Sequence, residues 1–221
     1  MDTTSVKPQR FFEGFPGIDL ESLSKEMMVL RGRLIDGEIS GIPEEKIKLA
    51  QEQRYLVESS ITLMGSDYNI FLLGYDSLIP LKENLGDILL EACDYYEIDA
   101  KSKDYVVMSW LNVTYGKVMN RFLSPNYQDE ITGSYHDHNG GRGAPDFHGY
   151  FSVNAEPSNT NYLINKETPF KNINTNGRAV VSETGHPHNT DPWDFGTPRI
   201  TIAYDICPRE NMNHKNALSL W

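Results

Sequence analysis

Apolar residues recur at three- and four-residue steps through the first hundred positions. Leu20, Leu23, Met27, Leu30 and Leu34 lie on one face, with Asp19 in front and Gly37 behind, which predicts an amphipathic helix capped by Asp19. Pro43 followed by Glu44 and Glu45 is a first-turn signature, and Ile47, Ala50 and Leu56 carry the same period towards Met64. A third helix is predicted from near Pro80, through Leu81, Leu85, Ile88, Leu89 and Ala92, fraying into the charged stretch Glu97 to Asp104. Core packing accounts for all three stripes.

From Tyr105 the period changes. Tyr105 to Thr114, His148 to Ala155, Thr160 to Asn165, Arg178 to Ser182 and Pro198 to Ile206 are β-branched or aromatic runs, separated by Gly, Asn, Pro and Asp clusters. Short strands after a helical preface predict an α+β fold with a mainly β core, an antiparallel sandwich or barrel with helices packed outside. The 221 residues suffice for one domain with a sizeable core. We read 1–104 as a mostly helical preface, 105–206 as the β core and 207–221 as a C-terminal tail. The Gly-rich run 140–146 lacks the flanks and the Lys-Ser/Thr ending of a phosphate loop.

Charge narrows the partners. With 20 Lys and Arg against 31 Asp and Glu, the net charge of −11 disfavours nucleic acid, whose non-specific grip depends on basic side chains. No apolar run approaches the roughly 20 residues that span a bilayer, and the start MDTTSVKPQR has no signal-peptide core, so a soluble, cytoplasmic protein is expected. Cys93 and Cys207 are far apart without CxxC spacing and read as reduced core thiols.

Five of the six histidines fall between 136 and 188, as two HxH pairs and His148. Strand residues i and i+2 share a face, so an HxH pair sets two imidazoles side by side for a metal, here His136 and His138, with Asp137 pointing away. A third ligand from a distant strand completes a facial triad of the non-haem iron type. His186 and His188 both offer themselves, and Pro187 between them favours a strand end or loop. Further on, Arg199 and Thr201 open a strand on one face, where a guanidinium and a hydroxyl can share one carboxylate.

The order SWLNVTYG (109–116), HDH (136–138), HGYFSVNAEP (148–157) and His188 followed eleven residues later by the arginine of PRITIAYD resembles the Fe(II)- and 2-oxoglutarate-dependent oxygenases, in particular a subgroup encoded by bacteria and phages. The resemblance covers 105–206, about half the chain. It implies a double-stranded β-helix of jelly-roll or cupin-like type. It implies also that His136 is the first iron ligand and His188 the distal one, that Arg199 and Thr201 clamp the cosubstrate, and that Asn112, on the face of Trp110 and Thr114, contributes a contact. The implied reaction consumes 2-oxoglutarate and molecular oxygen, releases succinate and carbon dioxide, and oxidises a C–H bond of a small-molecule or protein substrate that the sequence does not name.

One departure stands out. The family pattern is HxD or HxE, whereas here the second place is His138. A regular strand makes the site a three-histidine one, and a bulge would present Asp137 instead. Two other classes remain open: a cupin-like three-histidine dioxygenase that works without 2-oxoglutarate, and a non-catalytic β-barrel interaction protein. The loop from Asn139 to Asp146, with Arg142, suits a lid or a plain connector, and Trp193 and Phe195 suit either metal cover or ordinary packing.

Overall fold

The computed structural model describes residues 10–52, 62, 64–116, 135–138, 146–164, 169–212 and 214–221. In chain order its elements are β1 (Phe11–Gly14), α1 (Leu20–Ile35), α2 (Glu44–Glu52), α3 (Ile79–Tyr95), β2 (Tyr105–Thr114), β3 (Phe147–Asn154), β4 (Asn159–Tyr162), β5 (Phe170–Ile173), β6 (Ala179–Glu183), β7 (His188–Thr190), β8 (Arg199–Pro208) and β9 (Leu218–Ser219). Asp19 caps α1 by accepting from the backbone N–H groups of Glu21 and Ser22, which stabilises a helix N-terminus by about 1 kcal/mol. The helix buries Leu23, Met27, Leu30 and Leu34. Helix α2 begins behind Pro43; its expected continuation through Leu56 lies outside the described residues. Helix α3 has Pro80 in its first turn, where the missing N–H costs nothing, and buries Leu81, Leu85, Ile88, Leu89, Ala92 and Cys93. Both cysteines are free and buried. No helix among the described residues is long and apolar enough to cross a membrane.

Two sheets face each other. The larger has the order β1-β6-β3-β8-β2-β9 and the smaller β5-β4-β7. His136 extends the smaller sheet through an antiparallel bridge to His188. The chain passes from β2 in the large sheet to His136 in the small one, back to β3, across to β4 and β5, back to β6, across to β7 and back to β8. That alternation winds a double-stranded β-helix. The pairing registers show which side chains share a face. On one side of the large sheet, Tyr105, Val107, Leu111, Val113, Phe147, Phe151, Val181, Ile200, Ile202, Tyr204 and Ile206 join the helix residues in one apolar core. The other side, towards the small sheet, carries Trp110, Asn112, Thr114, His148, Tyr150, Ser152, Ser182, Arg199, Thr201, Ala203 and Asp205. A sheet with an apolar back and a polar inner face holds a site in its cup.

Gly149 fixes the spacing at the centre of that sheet. A methyl group there would lie 1.8 Å from the Val180 carbonyl oxygen and 2.7 Å from the Tyr204 ring. The bare glycine lets Tyr204 reach across β3, where its hydroxyl accepts from Val180 N (3.1 Å) and lies 2.9 Å from the Tyr150 carbonyl and 2.8 Å from that of Val180. Gly149→Ala is expected to lower unfolding free energy by about 3 kcal/mol or more, since backbone must move. Tyr204→Phe, which strands buried backbone partners, should cost about 1–3 kcal/mol. Denaturant midpoints measure both, and an unmoved midpoint for Gly149→Ala would contradict the close approach.

Candidate metal centre

Three imidazoles converge at the mouth of the cup. One ring nitrogen from each of His136, His138 and His188 lies within 4.8 Å of the others, so together they can hold a metal ion. The backbone builds this meeting directly: His136 N donates to the His188 carbonyl (3.1 Å) and His188 N to the His136 carbonyl (2.8 Å), which places the two side chains on one face. Their ring centroids are 4.5 Å apart. His138, two residues on, brings its ring to 5.7 Å from His136 and 5.2 Å from His188. Asp137 is exposed, and neither it nor His186 belongs to the cluster.

Ring orientation is set by hydrogen bonds. His188 Nδ1 lies 3.3 Å from the His186 carbonyl, and His138 Nδ1 lies 2.7 Å from Asp205 Oδ1. Neither oxygen has a hydrogen to give, so both Nδ1 atoms carry one, and in a neutral imidazole that leaves the Nε2 lone pair for a metal. Burial, reinforced by the neighbouring His136 and His138, pushes the His188 imidazole down to about 3, against a weaker upward pull from the His186 carbonyl. It is therefore neutral at pH 7, as a ligating imidazole must be. His148 stands behind the cluster, buried, with ring centroids 5.0 Å from His138 and 4.8 Å from His188 and its Nε2 3.0 Å from Ser182 Oγ. Burial first, then the surrounding histidines, holds it well below the usual imidazole range.

At the start of β8, Arg199 is buried, 5% exposed. Among the described residues its guanidinium has one hydrogen bond, Nε to Ser158 Oγ at 3.4 Å, and no ion-pair partner. Burial lowers it to about 10, against the pull of Tyr150 and Asp191, which leaves it cationic at pH 7. Asp191 is engaged elsewhere: it accepts from the backbone and side chain of Asn159 and from Asn161. Thr201 follows Arg199 on the same face, opposite Asn112 on β2 and Ser152 on β3. The Ser152 hydroxyl is buried there without a hydrogen-bond partner among the described residues, and Tyr150 lies near enough to Arg199 to favour its charge. Asn112 Oδ1 accepts from Thr62 Oγ1 at 2.8 Å. A buried cation with no ion-pair partner among the described residues can take an anion, because burial without a counter-charge is expensive.

Of the aromatic residues singled out from sequence, Trp193 is buried and donates Nε1 to the Thr197 carbonyl at 2.6 Å, and its ring packs on Phe195, 4.6 Å away. The Gly-rich loop and Arg142 lie outside the described residues. Sequence reasoning did not single out Tyr150, Ser152 or Asp205. The alternation in HGYFSVN and RITIAYD contains the signal, since every second residue of each run enters the cup.

No protein-family model and no curated protein matches the chain. Solved structures do. The non-haem alpha-ketoglutarate-dependent epimerase SnoN from nogalamycin biosynthesis aligns over 90% of this chain and 78% of its own, at 11% identity and a TM-score of 0.51. A prolyl-4-hydroxylase from Pseudomonas putida aligns over 91% and 89%, at 10% identity and a TM-score of 0.49. A 2OG-Fe(II) oxygenase family oxidoreductase from Burkholderia pseudomallei aligns over 85% and 92%, at 12% identity and a TM-score of 0.43. At such identities the likeness is one of fold, and the likeness to SnoN, with the strand order above, gives this chain a double-stranded β-helix fold.

Proposed function

We propose that the chain is an Fe(II)- and 2-oxoglutarate-dependent dioxygenase, a hydroxylase of a second substrate that releases succinate and carbon dioxide. One observation carries the reading: a buried, cationic Arg199 without an ion-pair partner among the described residues shares the inner face of one cup with a three-imidazole cluster. The donor chemistry fits, since neutral imidazole suits iron and a buried guanidinium suits a carboxylate. His136, His138 and His188 would hold the metal. Arg199 and Thr201 would bind the far carboxylate of 2-oxoglutarate, the guanidinium by a bidentate charged pair and the hydroxyl by one further bond, with Asn112 a contact on the neighbouring strand. Bound iron supplies the redox chemistry that couples oxygen, 2-oxoglutarate decarboxylation and C–H oxidation. The protein's own part is to orient the cosubstrate and keep water out: Tyr150 and Tyr162 wall the cup, and Tyr162 packs on His188 with ring centroids 5.3 Å apart.

A second reading has its own support. A donor set of three histidines without a carboxylate favours a cupin-like dioxygenase that uses metal and oxygen alone, and that reading leaves Arg199 without an anion to bind. Succinate release measured with Fe(II), ascorbate and 2-oxoglutarate separates the two. Succinate above the metal-free control is expected. Metal binding with no succinate and no effect of 2-oxoglutarate would favour the cupin-like enzyme, and no metal binding would leave a β-barrel interaction protein.

A further inference from the structure

We propose that Asp205 is a positioning residue for the metal centre, which orients His138 and returns to the site the negative charge that a three-histidine ligand set lacks. The inference rests on the reading of His138 as a ligand. Three neutral imidazoles leave a divalent ion with its full charge, and among the described residues the clustered donors include no carboxylate. Asp205 supplies one from a neighbouring strand. It sits on the inner face of β8, opposite Met108 on β2 and His148 on β3, and its Oδ1 lies 2.7 Å from His138 Nδ1. The two side chains are 22% and 16% exposed, so the bond is largely withdrawn from water, where a charge-assisted hydrogen bond is stronger. A carboxylate can only accept. It therefore holds the hydrogen on Nδ1, leaves the Nε2 lone pair free and raises that nitrogen's basicity. Trp110 stacks on the ring, centroids 6.1 Å apart and planes 23° from parallel. One face of β8 thus carries an anion-binding group at Arg199 and, six residues on, the group that tunes the metal.

Co(II) serves as the probe, titrated into the full chain and followed by its visible absorption. The wild type should bind one ion per chain. Asp205→Asn keeps the shape, removes the charge and is expected to weaken Co(II) binding about 10- to 100-fold and to shift the absorption of the saturated protein. Asp205→Glu, which restores the charge on a longer arm, should fall closer to wild type than Asn does. Metal-free thermal unfolding of both variants checks that the fold persists. If Asp205→Asn binds as tightly as wild type, or loses affinity with an unchanged spectrum, or if Asp205→Glu is no better than Asn, the role assigned to Asp205 is wrong. Absence of Co(II) binding by the wild type itself overturns the metal reading instead, so the two failures are distinguishable.

Discussion

Arg199→Ala is expected to weaken 2-oxoglutarate binding by about tenfold to a hundredfold or more while leaving metal affinity nearly unchanged. The guanidinium is buried and has no carboxylate partner among the described residues, so its removal strips a bound cosubstrate carboxylate of its charged, bidentate hold. A hydrogen bond to a charged group contributes roughly 1.5 to 3 kcal/mol, which sets the size of the loss. Arg199→Lys should recover only part, because an ammonium cannot form the planar fork. Thr201→Val keeps the volume and removes one hydroxyl, so its effect should be smaller and in the same direction. Anaerobic titration of 2-oxoglutarate into the Fe(II)-loaded protein, read at the metal-to-ligand charge-transfer band, measures all three. Equal binding by Arg199→Ala and wild type, or the absence of any such band in wild type, would sink the 2-oxoglutarate reading in favour of the cupin-like one.

The same β8 shows how far the sequence could be read. Alternation in RITIAYD sets Arg199, Thr201 and Asp205 on one face, and a regular period is all that inference needs. What Asp205 touches was not legible, because its partner His138 lies 67 positions away and meets it only when the two sheets close. The helices were legible for a local reason: Asp19, Pro80 and the apolar stripes act within one or two turns. Strands β1, β5, β7 and β9 were not. They are two to four residues long, and β7 has no apolar residue, so long-range pairing makes them strands and local propensity does not. His148 shows the same limit within the site. Its spacing from Tyr150 and Ser152 gives its face, while its place behind the histidine cluster depends on β3 lying between β6 and β8.

Loss of the metal should be the largest single effect. A His136→Ala, His188→Ala double variant removes two of the three clustered imidazoles and is expected to lower affinity for a divalent ion by more than about a hundredfold, read by calorimetry on the metal-free protein. Binding should also weaken as pH falls, because protons compete for the same lone pairs; His188, held down at about 3 by burial and its neighbours, should contribute little to that fall. The single variants identify the second ligand. His138 lies in the cluster and Asp137 is exposed outside it, so His138→Ala should reduce affinity strongly and Asp137→Ala little. The reverse order would mean that the strand is bulged in solution and presents the carboxylate, which converts the centre into a site of two histidines and one carboxylate and leaves Asp205 bonded to a histidine that holds no metal.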